Sequence, residues 1–159
     1  MKALAITPAT IALDSSGIAY TLRKFESDTS TDFGKEAAIS MEVDEDQVFK
    51  TILFGDKEIA VVAIAPVSRK ISAKRLAAAI GVRSLEPMEP TLAQRMSGYV
   101  LGGISPFGQK KRLDTVIDSS ADNFESIYVS GGRRGLEICI APTDLIRALN
   151  ALVAQIQAE

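Results

Sequence analysis

The apolar positions of this chain fall in short bursts whose period switches several times between helical and extended. Thr7-Pro8 reads as an N-cap followed by proline at the first helical position; Ile11 and Leu13 supply apolar residues, and Gly17 is placed to end a short helix. From Ile18 to Phe25 apolar and polar residues partly alternate, which predicts a strand. Asp28 to Asp32 is a polar loop, Phe33 to Met41 a second helix, and Asp44 to Gln47 a charged helical turn. Phe49 to Phe54 and Ile59 to Ala65, joined through Gly55-Asp56, predict a hairpin. Its second arm is nearly all apolar and is expected to lie centrally, buried on both faces. Lys50 then stands as a charge at the entrance to a buried strand.

Further along, Ser72 caps a helix carrying Leu76, Ala77 and Ile80, which Gly81 ends. Pro87 and Pro90 bracket a break before a short helix over Thr91 to Ser97. Tyr99-Val100-Leu101 predicts a strand, as do Thr115 to Ile117, Ser126 to Val129 and Leu136 to Ile140. The last helix begins near Pro142, with Leu145, Ile146, Leu149, Leu152, Val153 and Ile156 at helical spacing on one packing face. Several successive strands lack a crossover helix between them, so an α+β domain with a mainly antiparallel or mixed sheet is expected. No internal repeat or long linker interrupts it, and 159 residues fit one domain over the whole chain, 1–159.

Composition narrows the chemistry. Apolar residues make up 47% and charged residues 24%, ordinary for a soluble globular protein, and no apolar run approaches the roughly 20 residues that span a bilayer. The N-terminus does not read as a signal peptide, so a cytoplasmic location without membrane contact is expected. There is no histidine, which excludes Ser-His-Asp and Cys-His catalysis, the His-Glu-x-x-His metalloproteases and the histidine-ligated zinc deaminases. Cys139 is the only cysteine, so no internal disulfide or multi-cysteine zinc site exists; it reads as a small buried apolar residue. Neither a metal nor a cofactor is expected. A net charge of −2 argues against a general nucleic-acid coat protein but leaves room for local basic patches. Three clusters stand out: Arg69, Lys70, Lys74 and Arg75; Lys110, Lys111 and Arg112; Arg133 and Arg134.

Two glycine-rich stretches adjoin the last two of these clusters. In Gly102-Gly103-Ile104-Ser105-Pro106-Phe107-Gly108-Gln109-Lys110-Lys111-Arg112, glycines and a proline let the backbone turn sharply and approach a bound molecule, and a cationic run follows. Such a loop suits a ligand with both a carbonyl and phosphates; it also fits a plain turn before a solvated basic segment. Ser130-Gly131-Gly132-Arg133-Arg134-Gly135 is either a hairpin loop or an anion-binding concavity. Neither Ser105 nor Ser130 lies in a Gly-x-Ser-x-Gly elbow, so hydrogen-bond donation suits both better than nucleophilic attack. Lys50-Thr51 lacks the glycines of a P-loop, and the lysine is either functional or a snorkelling edge residue. Asp114, Asp118 and Asp122 fit capping or solvated loops better than a metal cluster.

Phe49-Lys50-Thr51-Ile52-Leu53, Ala93-Gln94-Arg95 with Gly98-Tyr99, the loop from Gly102 to Arg112, and Ile127-Tyr128-Val129-Ser130-Gly131-Gly132 occur in that order. In these residues, over nearly its whole length, the chain resembles the YbaK/EbsC group of trans-acting aminoacyl-tRNA deacylases, relatives of the editing domain of bacterial prolyl-tRNA synthetases. The resemblance implies an α+β pseudo-barrel of mixed, mainly antiparallel strands surrounded by helices. It implies hydrolysis of cysteine from mischarged tRNA(Pro), with the substrate's own thiol attacking the ester. Lys50 matches the group's required lysine, with Thr51 beside it. Gly102 and Pro106 match a Gly-x-x-x-Pro loop whose backbone holds the substrate carbonyl and terminal ribose. Ser130 and Gly131 match the second pocket loop.

On that basis Lys50 and Gly102 are the expected catalytic positions. Phe25, Thr51, Gly103, Ile104, Ser105, Pro106, Ser130 and Gly131 are expected around the substrate, and Lys110, Lys111 and Arg133 along the acceptor end. Phe25 stands where the group often has tyrosine, which removes one hydrogen bond and bears on the cysteine preference. Glu137 stands where relatives often carry another polar residue and receives little weight. Mischarged tRNA(Pro) is the expected partner, and a complex with prolyl-tRNA synthetase is left open. The competing readings are a deacylase for tRNA carrying Ala or Ser, and a non-catalytic module that binds tRNA or a synthetase.

Overall fold

The structure is a computed structural model that describes residues 5–26 and 33–159. The expected polar loop Asp28 to Asp32 lies outside the described residues. Two sheets form the frame. β2 (Phe49–Gly55) and β3 (Ala60–Pro66) are the predicted antiparallel hairpin, with Lys50 opposite Ala65 and Thr51 opposite Ile64. β3 is interior, as its apolar sequence requires: β4 (Asp114–Asp118) pairs with its other edge in parallel, and β7 (Leu152–Ala154) adds to β4. The second sheet has β6 (Leu136–Ile140) between β1 (Thr21–Lys24) and β5 (Ile127–Ser130), all antiparallel. The sheets meet at a bridge between Val48 and Tyr128, where Gln47 accepts the Tyr128 N–H and donates its side-chain amide to the Ser126 carbonyl. The architecture is mixed α+β as expected, with two sheets joined at a corner and no closed barrel among the described residues.

Helices cover this frame. α1 (Pro8–Ser15) begins with a reciprocal cap in which the Thr7 hydroxyl accepts the Thr10 N–H and the Thr10 hydroxyl accepts the Thr7 N–H. α2 is Phe33–Met41. α3 (Ala73–Ile80) starts at the Ser72 hydroxyl and stops at left-handed Gly81, and α4 (Pro90–Ser97) starts at the Glu89 carboxylate and stops at Gly98. α5 is Pro142–Leu149. The largest core cluster, including Phe49, Leu53, Ile64, Ile104, Ile117 and Ile138, lies between the sheets. A second cluster packs α3 against Phe54, Val61, Ala63 and Val116, and a third packs α2 against Val48, Val67 and Tyr128.

Two expected elements are corrected. Tyr99-Val100-Leu101 is a turn, because Gly98 reverses the chain after α4 and the Leu101 N–H donates to the Gln94 side chain. The turn closes when the Gly103 N–H donates to the Val100 carbonyl. The last helix ends at Leu149, where Asn150 adopts a left-handed conformation with φ 51°. Its apolar periodicity continues through β7, where Leu152 and Val153 are exposed, to Ile156 beyond it, which is buried in the core. Asp118 holds this tail: its carboxylate accepts the Ile156 N–H at 2.8 Å, the Gln157 side-chain amide at 2.9 Å and the Ser120 N–H at 3.1 Å. Burial pulls its pKa upward, but these hydrogen bonds outweigh it and hold the carboxyl below the usual range. Asp118→Ala strands a buried N–H and frees the tail, and is expected to cost about 3 kcal/mol in urea unfolding. A loss under about 0.5 kcal/mol would remove the clamp from the account.

Candidate functional site

A cavity of about 390 Å³ opens between the two sheets, within the range of small-ligand sites. One wall is β2 with Phe49, Lys50, Thr51 and Leu53; another is the turn after α4 with Leu101, Gly102 and Ile104. Ser130 at the end of β5, Arg134 and Gly135 in the next turn, and Glu137 on β6 form a third, and Phe25 and Glu36 complete it.

The two glycine-rich loops shape this space by docking on each other. A Cβ on Gly103 would lie 2.7 Å from the Cα of Arg133, so only glycine lets the two backbones approach this closely. Gly131 donates to the Leu136 carbonyl, and its own carbonyl accepts the Thr7 hydroxyl at 2.6 Å. The cap of α1 thus also anchors the second loop. Gly102 occupies the left-handed region at φ 85°, which turns the chain along the cavity wall. The N–H of Gly103 is spent on Val100, whereas among the described residues those of Gly102 and Ile104 have no acceptor. Both residues line the cavity.

The second half of the first loop has a different role. Ser105 is fully buried, its hydroxyl accepts the Phe107 N–H, and its carbonyl accepts the Gln109 side chain. The Phe107 carbonyl accepts the Tyr99 hydroxyl, whose pKa is raised by burial. Pro106, Phe107 and Gly108 border a separate space of about 240 Å³ against α1. Of the expected site residues, Phe25, Lys50, Thr51, Gly102, Ile104 and Ser130 are brought together around the main cavity. Gly103, Ser105, Pro106 and Gly131 are not among its lining; they hold the loops in place. Lys110, Lys111 and Arg133 are exposed outside it, with Arg133 against Gly103 and Lys111 at the smaller space.

The polar inventory of the cavity is specific. The Lys50 ammonium donates to the Arg69 carbonyl at 2.6 Å. The Thr51 hydroxyl is buried with no hydrogen-bond partner, and the Ser130 hydroxyl accepts the Gly132 N–H. Phe25 packs against the cluster of Met41, Val48, Val67 and Tyr128 and brings no hydroxyl. Glu137 is 7% exposed, and burial pushes its carboxyl up to about 8. Glu137, given little weight from the sequence, stands inside the apolar run Leu-Glu-Ile-Cys-Ile, a charge as anomalous there as Lys50 in its own strand. Among the described residues, no group of three His, Cys, Asp or Glu could hold a metal, and no helix is long and apolar enough to cross a membrane.

Comparison with known proteins places the chain. Residues 29–148 match the family model of the aminoacyl-tRNA editing domain. A relative from Enterococcus faecalis (strain ATCC 700802 / V583), provisionally named Cys-tRNA(Pro)/Cys-tRNA(Cys) deacylase EbsC, is 32% identical over 123 residues, covering 77% of this chain and 75% of the relative. A solved structure provisionally described as a trans-editing enzyme for prolyl-tRNA synthetase superposes with a TM-score of 0.85 at 19% identity, covering 98% of this chain and all of that one (100%). The hypothetical protein APE2540 superposes with a TM-score of 0.86 at 20% identity over 96% of this chain and 100% of its own. These two likenesses establish the shared fold.

The Glu137 carboxyl carries a test of the burial. The folded chain keeps its proton up to about pH 8, whereas the unfolded chain releases it near the ordinary glutamate value of 4.5. The folded state therefore binds more protons in that window, and stability falls as pH rises through it. Glu137→Gln is expected to remove this fall, on the order of a few kcal/mol, so its melting temperature gains on wild type between about pH 5.5 and 8.5. Parallel melting curves across that range would contradict a buried, unpaired acid.

Proposed function

The chain belongs to the aminoacyl-tRNA editing domain family, and from that premise we propose that it is a trans-editing hydrolase for cysteine mischarged on tRNA(Pro). Its activity is that of an aminoacyl-tRNA deacylase. The observation that supports the finer reading is the pair of unpaired amides at Gly102 and Ile104, in a cavity also lined by Lys50 and Ser130. An aminoacyl ester is already activated, so positioning and charge stabilisation can drive its hydrolysis without a strong protein base. The amides of Gly102 and Ile104 orient the ester carbonyl and receive the charge that develops on its oxygen. Lys50 exchanges the Arg69 carbonyl for an oxygen of the terminal phosphate or ribose.

The substrate supplies the nucleophile. Its thiol sulfur bonds to the ester carbonyl carbon, the ribose oxygen leaves, and the thiol proton ends on that oxygen. Water then opens the resulting thioester and releases cysteine. The absence of histidine accords with this route, since none of the protein's hydroxyls has a histidine to activate it. Lys110, Lys111 and Arg133 meet phosphates of the acceptor end outside the cavity. We place the activity in the cytoplasm, within a single domain over residues 1–159, and include association with prolyl-tRNA synthetase in the proposal. The last point draws support from the structural neighbour described as a trans-editing enzyme for prolyl-tRNA synthetase. Phe25, lacking a hydroxyl, favours a second reading in which alanine or serine esters are also accepted.

Deacylation of tRNA(Pro) charged with Cys, Ser or Ala separates the two. The thiol route predicts hydrolysis of the cysteinyl ester faster by tenfold or more, on the order of what a missing reactive group costs. Equal rates would leave a general deacylase and discard thiol attack. In the same assay Lys50→Ala is expected to lower kcat/KM by about 10- to 100-fold, the worth of a charge-assisted contact. Full activity in that variant would remove Lys50 from the mechanism.

A further inference from the structure

The deacylase reading accounts for Lys50 and the amides of Gly102 and Ile104, but leaves Glu137 without a task. A buried carboxyl is costly unless something binds it. On the neighbouring strand Arg23 is its register partner, yet the Arg23 guanidinium donates to the Met41 carbonyl at 2.9 Å and lies over the Tyr128 ring. On the other side Ser130 is its register partner, and that hydroxyl accepts from Gly132. Lys50 holds the Arg69 carbonyl. Glu36, Lys50 and Arg134, the other charged residues of the wall, all make further contacts of their own. Glu137 is thus an acceptor on the cavity surface, more than nine-tenths buried, and no described residue meets its carboxyl.

The groups of an aminoacyl ester can be assigned against this wall by charge. The carbonyl, ribose oxygens and phosphates are acceptors, and the wall answers them with amides, a hydroxyl and two cations. The substrate has a single cationic donor, its α-amino group, which Lys50 and Arg134 repel. We propose that the carboxyl group of Glu137 is the receptor for the α-amino group of the acylated amino acid. This rests on the deacylase reading and deepens it.

Carboxyl and amine need one proton between them, whether paired as acid and amine or as carboxylate and ammonium. Burial keeps that proton on Glu137 in the empty cavity, so the site does not carry an uncompensated charge while it waits. The arrangement also sets a specificity. An ester whose nitrogen is acylated, as at the end of a growing peptide, would leave Glu137 buried against a group that cannot share its proton.

The test uses tRNA(Pro) charged with cysteine or with 3-mercaptopropionate, which keeps the thiol and lacks only the amine. Each rate is divided by that ester's spontaneous hydrolysis, because the amine itself activates the ester. Wild type is expected to favour the cysteinyl ester by tenfold or more. Glu137→Gln is expected to lower this preference at least tenfold, chiefly through KM, where a purely structural role would depress both esters alike. An equal corrected rate in wild type overturns the proposal even if the variant fails to fold. So does an equal loss on both esters in a folded variant. If wild type hydrolyses neither ester, the deacylase reading falls together with the proposal; if it hydrolyses both without preference, only the amine receptor falls.

Discussion

Two glycine-rich loops, 30 residues apart at Gly103 and Arg133, meet backbone to backbone, and the shape of the cavity depends on that contact. A single methyl group at Gly103 would sit 2.7 Å from the Cα of Arg133 and force the loops apart. Thr7 locks the far side, since one hydroxyl both caps α1 and binds the Gly131 carbonyl. The glycines are therefore needed for the loops to reach each other as much as for anything to reach the loops. With that docking in place, Gly102 and Ile104 face the cavity carrying N–H groups with no internal acceptor.

The electrostatics of the cavity follow from this frame. Two unpaired amides and the Lys50 and Arg134 cations make a wall suited to oxygen atoms, and Glu137 is the buried exception. No histidine exists to raise the nucleophilicity of a hydroxyl, and Ser105, the serine of the first loop, is wholly buried and already engaged. Such a wall suits carbonyl and phosphate oxygens, which accords with the proposed deacylation, in which the ester is held and polarised rather than attacked by a protein side chain.

Local chemistry in the chain made much of this legible. Caps at Thr7 and Ser72, the hairpin through Gly55, and the apolar arm that became interior β3 are all properties of adjacent residues. What escaped depended on distant partners. Apolar spacing after Leu149 continues the period of α5, but Asn150 turns left-handed and Asp118, 38 residues earlier, claims the Ile156 N–H. Tyr99 to Leu101 has strand-like residues, yet the Gln94 side chain and the Val100 carbonyl turn it into the cavity wall. In the site, the resemblance led to Lys50, Gly102 and Ser130, which line the main cavity. It could not separate Gly102 and Ile104, which line the cavity, from Gly103, packed on Arg133, and Ser105, bonded within its own loop. Glu137 could be weighed properly only once burial on both sides of β6 was known.

In the proposed reaction the main cavity receives the aminoacyl group through the free amides of Gly102 and Ile104. Amide chemical shifts, recorded while a non-hydrolysable cysteinyl-adenosine analogue is added to the intact chain, test it most directly. The largest changes are expected at Gly102 and Ile104, with Ser130 and Glu137 following. Changes concentrated instead between Pro106 and Leu113, around the smaller space, would contradict it.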